Sequence, residues 1–489
     1  LSGPAHDPAL GEVSAWLKAG AGSGKPADRV ITTHIAQVFL IGPHAYKLKK
    51  AVDLGYLDFS TSDKRAWALR RELDFNRREA PGIYQAVVQV IRRPDGSLTF
   101  DGAGEPLETV LRMRRFDPEA VLSNNPERVK DDFAEALGRQ VAGFHAGADI
   151  RKGGSEALGY VVKSNAEHLR ELAGVLGGEA VEALIAATQG EFDRRWSELD
   201  ARGAAGQLRR CHGDLHLGNI LQEDGRAILF DCIEFNDALS EIDVLYDLAF
   251  LLMDLAFRGQ GAGASRVLNG YLDEAARSFG DQALRGLSCL PLFLSVRAAV
   301  RAHVTAQQGD EARGRAYLRA AIKHLTWPAP VLYAVGGLSG SGKSTLARIL
   351  APELGAAPGA VILRSDEIRK RLWGRGPRDA LPPEAYGEGQ SARVYGRMLD
   401  EAAVALGAAR PVVLDAVFLR AEERQAAEAV GAEAGAAFHG VWLEAPEAVM
   451  SARLDARMGD ASDADRRVLA DQLARDPGAI TWKKVDASA

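Results

Sequence analysis

The 489-residue sequence predicts two unlike folds in series. The first is an α+β region over residues 30–325, with a small lobe at about 30–116 and a large helical lobe at about 117–325. The second is an α/β domain with a parallel sheet over residues 331–489. Three observations predict this. Residues 30–116 read as strand, strand, helix, then three strands. Residues 118–200 and 240–325 are helical in pattern, rich in Ala, Leu, Glu and Arg. After Leu325-Thr-Trp-Pro328-Ala-Pro330 breaks the last helix, strand and helix alternate to the end, which is the pattern of a parallel sheet with covering helices.

Composition narrows the class. Hydrophobic residues are 47% and charged residues 26%, which excludes a disordered or collagen-like chain. A net charge of −6 argues against a generally basic nucleic-acid coat, though a local basic cleft remains compatible. Cys211, Cys232 and Cys289 are odd in number and lack metal-ligand spacing, so neither a disulfide framework nor structural zinc is expected. The N-terminus has no basic start followed by an apolar run, and so does not read as a secretion signal. The longest apolar stretch, Pro291–Val304, is interrupted by Arg297 and Arg301 and is too short to span a bilayer. The expectation is a cytoplasmic protein with no membrane partner. The sequence does not define an oligomeric state.

The elements follow in order. Ala9–Leu17 is a short helix, and the glycine-rich Gly20–Pro26 reads as a flexible link, so residues 1–29 are set apart. Val38–Ile41 and Ala45–Val52 are strands joined at Gly42-Pro43. Ser60-Thr-Ser-Asp63 offers capping residues for a helix that runs to about Arg78 and stops at Pro81-Gly82. Gln85–Ile91 and Leu98–Phe100 form a hairpin around Pro94-Asp95-Gly96, and Leu107–Met113 is another strand.

The most specific signal lies in the second fold. Gly337-Leu-Ser339-Gly340-Ser341-Gly342-Lys343-Ser344 has the eight-position phosphate-loop spacing, between the apolar strand Val331–Val335 and a helix opening at Thr345. Glycines let successive N–H groups turn inward around a phosphate, and the helix start adds partial positive charge. Lys343 would reach the outer phosphates and Ser344 would join the Mg²⁺ shell. Asp415 ends the apolar strand Pro411–Leu414, where a metal-side carboxylate is needed. In Val361-Ile-Leu-Arg-Ser365-Asp366-Glu-Ile-Arg369, Asp366 falls just after another strand, at a position suited to accept the proton of an attacking hydroxyl. Arg369, one turn on, would hold an anionic substrate group. Arg453 and Arg457 lie four apart on one helix face, placed to offset transition-state charge. The run Arg364, Arg369, Lys370 and Arg371 also admits a nucleic-acid acceptor, the less favoured reading.

The first fold carries a second constellation. His212-Gly-Asp214-Leu-His-Leu-Gly-Asn219 places Asp and Asn five apart in a loop, and Ala227-Ile-Leu-Phe-Asp231 is a strand ending in a carboxylate. Asp214 would accept a hydroxyl proton, while Asn219 and Asp231 would hold Mg²⁺. Upstream, Lys47 sits in a strand and Glu72 in the next helix, as expected for a lysine on phosphates oriented by a glutamate. Lys49, on the same strand face, is the rival for that role.

Residues 331–480 resemble the small P-loop kinases that phosphorylate hydroxyl groups, the gluconate-kinase-like, zeta-toxin-like and polynucleotide-5′-kinase-like enzymes. The likeness rests on Gly337–Ser344 and Ser365-Asp366-x-x-Arg369. Residues 30–320 resemble the aminoglycoside phosphotransferases and their choline- and fructosamine-kinase relatives, through His212-Gly-Asp-Leu-His-x-x-Asn219, the Asp231 strand and Asp243-x-x-Tyr246-Asp247. The likeness implies a bilobal protein-kinase-like fold with Asp214 as base, and Asp243 and Asp247 as bracing residues. It also implies adenine near Met113–Phe116. Two departures stand out. No Gly-x-Gly-x-x-Gly loop precedes Lys47, and Cys232-Ile233 replaces the aromatic-glycine pair after the metal aspartate. The whole resembles bacterial fusions of the two modules. Together these readings imply an ATP- (or GTP-) and Mg²⁺-dependent kinase with two sites and a small-molecule hydroxyl acceptor. The rival reading gives catalysis to the P-loop module alone.

Overall fold

A sheet whose two faces are both covered organises the first half of the protein. The computed structural model describes residues 7–53, 57–326, 329–456 and 462–488. They fall into two units, residues 1–128 with 209–242, and residues 129–208 with 243–489.

In the first unit six antiparallel strands run in the spatial order Arg29–Thr32, Ala36–Ile41, His44–Lys49, Glu105–Arg114, Tyr84–Arg92, Leu98–Phe100. Alternation sends Phe39, Tyr46, Leu48, Val88, Val90 and Val110 to one face, where they bury Val13 and Leu17 of the helix Pro8–Lys18. The segment set apart as 1–29 thus supplies part of this core. The opposite face packs Ala45, Tyr84, Leu111 and Met113 against Leu69, which lies on the helix Ser62–Glu79, capped by the Thr61 hydroxyl accepting from Lys64 N–H. The strand Arg29–Thr32 was not foreseen. Its residues are mostly exposed, so no apolar alternation announces it.

The second unit begins with a bundle, the helices Asp131–Ala146, Ser155–Glu171, Gly178–Ala204, Val244–Phe257, Gly261–Phe279, Leu290–Gln307 and Glu311–His324. Helix was expected from residue 118, but Pro118–Ala120 and Pro126–Arg128 are single 3₁₀ turns. Proline supplies no N–H to continue an α-helical ladder. Asp131–Ala146 and Gly261–Phe279 touch backbone to backbone. A Cβ on Gly138 would lie 2.1 Å from Val267 O, and one on Gly270 would lie 2.3 Å from Glu135 O. Asp243 takes Arg202 Nε and Nη2 at 2.6 and 2.7 Å and caps its own helix, and Asp247 meets His145 Nε2 at 3.1 Å. Both aspartates are therefore structural in this lobe. Gln282–Gln307 is long and apolar enough to cross a membrane, but 89% of its apolar window is buried in the fold.

The same unit continues into a five-stranded, wholly parallel sheet, in the order Val361–Arg364, Val412–Asp415, Val331–Gly337, Ala437–Glu444, Lys483–Asp486. Val335, Val413, Val441 and Leu443 pack beneath Ala347 of the helix Lys343–Leu350. In such sheets ligands collect beyond the carboxyl ends of the strands. Gly337, Arg364 and Asp415 all sit at those ends.

Candidate active sites

The loop between Gly337 and Lys343 is shaped by glycines that nothing larger can replace. Gly340 and Gly342 have φ of +82° and +96°, a region L-residues avoid. A Cβ on Gly337 would lie 2.7 Å from Leu443 O, and one on Gly340 would lie 2.6 Å from Met450 O. Lys343 Nζ donates to Leu338 O at 2.9 Å, and Ser344 Oγ donates to Asp415 Oδ2 at 2.6 Å. The hydroxyl and carboxylate expected to share a cation are therefore already in contact. Gly340→Ala is expected to push away the helix Glu447–Asp455, which carries Arg453, and to weaken nucleotide binding at least tenfold. A titration with fluorescent ADP measures this, and unchanged affinity would show that the close approach is not needed.

These groups line a cleft of about 1390 Å³ with Thr345, Asp366, Arg369, Tyr395 and Arg453. Its residues also include Ser339, Gly340 and Gly342. Gly337 and Ser341 are not among its lining residues, and the Ser341 hydroxyl is buried with no hydrogen-bond partner among the described residues. Burial within the fold pushes the Asp366 carboxyl above its usual range, against the opposing pull of Arg364 and Ser462. Arg453 Nη1 lies 3.8 Å from where a Gly342 Cβ would be. Arg457 lies outside the described residues.

Three features of this cleft are absent from the sequence reading. Arg364 lies between the two cation-site oxygens, with Nε 3.3 Å from Asp415 Oδ2 and Nη2 3.3 Å from Ser344 Oγ. Gln472 Oε1 accepts from Ser339 N–H at 2.8 Å and ties the helix Arg466–Leu473 to the phosphate loop. Asp463 holds Lys370 Nζ at 3.0 Å and Tyr386 OH at 2.6 Å. The basic run 364–371 is thus consumed inside the protein. Arg369 is only 7% exposed, donates to Ala385 O at 2.6 Å and lies over the Tyr386 ring at 4.9 Å, while Arg371 pairs with Glu401. The Arg369 Nε is buried with no hydrogen-bond partner among the described residues.

In the first unit, Lys47 Nζ contacts Glu72 Oε1 at 2.6 Å and Asp231 Oδ1 at 2.9 Å. Lys49 Nζ takes the other Glu72 oxygen at 2.8 Å and pairs with Glu234. The two lysines differ in access. The Lys49 side chain is wholly buried, while Lys47 keeps 14% exposure beside a half-open Asp231. Burial alone would depress Lys47, but Asp231, Glu72 and Glu234 outweigh it and hold the ammonium well above its ordinary range. Two ammoniums face three carboxylates here, so the accessible end at Asp231 is short of positive charge, which suits a bound cation.

The catalytic-type loop is tied back by His212. Its Nδ1 accepts from Asp214 N–H at 3.3 Å and its Nε2 pairs with Phe230 O at 2.9 Å. Asn219 Nδ2 donates to Asp214 Oδ2 and to Asp214 O, both at 2.9 Å, so the amide nitrogen braces the aspartate. Asn76, not anticipated, accepts from Cys232 N–H at 2.8 Å through its side chain and donates to Glu72 O at 2.9 Å. Met113 is buried between Ala45 and Tyr84. The strands Ala36–Ile41 and His44–Lys49 join through Gly42-Pro43 alone, Ile41 pairing with His44. Among the described residues no longer loop joins these two strands.

The comparisons cover both modules. Residues 61–287 match the phosphotransferase enzyme family and residues 332–476 match an AAA domain family. Uncharacterized proteins of Mycobacterium bovis and Mycobacterium tuberculosis are 30% identical to this chain over 486 residues, covering 95% of it and 93% of each relative. The chain belongs to their family. This chain joins a phosphotransferase-family module to a P-loop kinase module. Solved structures similar to one part or the other include a choline/ethanolamine kinase family protein from Mesorhizobium loti, with 16% identity, TM-score 0.35, and coverage of 65% of this chain and 99% of that one. A gluconokinase from Sinorhizobium meliloti has 24% identity, TM-score 0.22, and coverage of 33% and 84%.

Proposed function

We propose that the protein is an ATP- or GTP-dependent cytoplasmic phosphotransferase with two sites, each passing a γ-phosphoryl group to a hydroxyl of a small molecule. The observation that carries this is the Ser344–Asp415 contact in the same cleft as Lys343 and Asp366. Magnesium, when bound through Ser344 and Asp415 in one site and Asn219 and Asp231 in the other, supplies neutralisation of phosphate charge. Lys343 and the loop amides hold the nucleotide's phosphates, and Arg453 faces the charge that develops in transfer. Asp366 takes the proton of the acceptor hydroxyl, and Asp214 does so in the other site. Burial of Lys370 and Arg369 favours a small acceptor over a nucleic-acid strand, which needs an exposed basic track.

ATP consumption should be screened over sugars, amino alcohols, aminoglycosides and nucleic-acid ends, on wild type, Asp214→Ala and Lys343→Ala. Each variant should lose one activity and keep the other. Loss of both activities in either folded variant would overturn the two independent sites. The two-residue turn at Gly42-Pro43 favours a second reading, in which the first module binds nucleotide or a small molecule without turnover. In that case Asp214→Ala leaves every activity intact.

A further inference from the structure

The candidate base Asp366 begins the helix Ser365–Leu372, and the residue after it is held by the helical lobe. Arg139 Nη2, on the helix Asp131–Ala146, lies 2.8 Å from Glu367 Oε1, and the Glu367 side chain is 3% exposed. The same guanidinium reaches Glu135 at 3.2 Å and Asp273 at 3.3 Å. Glu135 in turn takes Arg348 at 3.3 Å, and Arg348, on the phosphate-loop helix, lines the cleft. One turn before Asp273, the Asn269 side chain accepts from Ile362 N–H at 2.7 Å and donates to Ala360 O at 3.1 Å. It hydrogen-bonds the free edge of the outermost strand, the one that leads into Asp366.

Resting on the phosphotransferase reading above, we infer that Arg139 is a positioning residue of the P-loop site: through Glu367 it fixes the helix turn that aims Asp366, so the helical lobe sets the catalytic competence of the other module. The backbone-tight pairing of Asp131–Ala146 with Gly261–Phe279 makes the anchor stiff. A buried helix start pinned at the residue beside the base has little freedom to rotate, and small misplacements of a reacting group are costly.

Three carboxylates, Glu135, Asp273 and Glu367, place oxygens within 4.8 Å of one another around this one guanidinium. Glu274 at 3.9 Å and the charge of Arg371 complete the surroundings. Burial, reinforced by Glu367, pushes the Asp273 carboxyl up to about 7. Below that pH Asp273 is neutral and Arg139 is left to Glu367 and Glu135; above it Asp273 competes for the same nitrogen. The hold on Glu367 therefore slackens as pH rises through neutrality. An acid with a raised folded pKa also makes the fold less stable as pH rises from its ordinary value of 3.8 to the folded value of about 7.

The test measures ATP turnover by the P-loop site in the Asp214→Ala protein, with fluorescent ADP binding measured in parallel. Arg139→Met and Glu367→Gln should each lower kcat at least tenfold with KM for ATP and ADP affinity unchanged, and the double variant should lose no more than either single one. Arg139→Lys should recover part of kcat. Asp273→Asn should flatten the pH dependence near neutrality and raise the melting temperature more at pH 8 than at pH 5. Wild-type kcat in folded Arg139→Met, or equal losses in kcat and ADP affinity, would overturn the inference while leaving the kinase reading intact. If the Asp214→Ala protein shows no turnover and Lys343→Ala binds ADP as well as it does, the kinase reading fails and this inference falls with it.

Discussion

Replacing Asp366 by Asn is expected to cut turnover at the P-loop site by roughly 10²–10⁴, the usual worth of a positioned proton acceptor, while nucleotide affinity stays within twofold. The carboxyl stands at the mouth of the second strand, in the cleft with Lys343 and Ser344. Asn keeps the shape but loses the negative charge and the basicity, and turns one acceptor oxygen into a donor. Burial raises this group above the ordinary value of 3.8, so the unprotonated, active form is gained at a higher pH than for a solvated aspartate. The rate should therefore climb with pH along an acid limb displaced upward from 3.8, and the limb should vanish in the Asn variant. A pH–rate profile in the Asp214→Ala protein reads both effects. An unchanged limb would assign the proton transfer to another group.

The largest stability effect is expected at Glu72. Its two oxygens are divided between Lys47 and Lys49, and its side chain is wholly buried. Removing one member of a dehydrated ionic cluster costs about 3–5 kcal/mol, because the partners stay buried without compensation. Glu72→Ala should lose that much in urea unfolding, and Lys49→Met added to it should restore part. Burial works against this carboxylate, yet the two lysines bring it down to about 2 from an ordinary 4.5. A lowered folded pKa gives stability that is complete above the unfolded value and drains as pH falls toward the folded one. The wild type should thus soften below pH 4.5 in a way the variant does not. A loss under about 1 kcal/mol would mean that water reaches the cluster, as at a surface pair.

What the sequence made legible was local. The phosphate loop is read from eight consecutive positions, and Asp214 and Asn219 share one short loop, so spacing alone brings their side chains together. Lys47, Glu72 and Asp231 could be ordered because each ends or flanks a recognisable element. What stayed hidden depends on distant pairing. Lys49 and Glu234 meet across 185 positions, and nothing near either residue marks its partner. The run 364–371 admitted a nucleic-acid acceptor because charge is visible in a sequence and burial is not. Its partners Asp415, Asp463 and Glu401 come from three separate segments. The strand Arg29–Thr32 was missed because an exposed edge strand carries no period-two apolar signal.

The Asn269 amide has a consequence for how this architecture can be taken apart. The strand Val361–Arg364 is the rim of its sheet, and an uncovered rim is a template on which a second chain can add. A helix-borne amide now satisfies one donor and one acceptor there. Excising the carboxyl-terminal module at the prolines would strip that cover and leave a sticky β-edge, inviting self-association through strand addition. The border between the modules is a seam in the sequence but not in the hydrogen bonding, so recombination at that seam would have to bring its own plug.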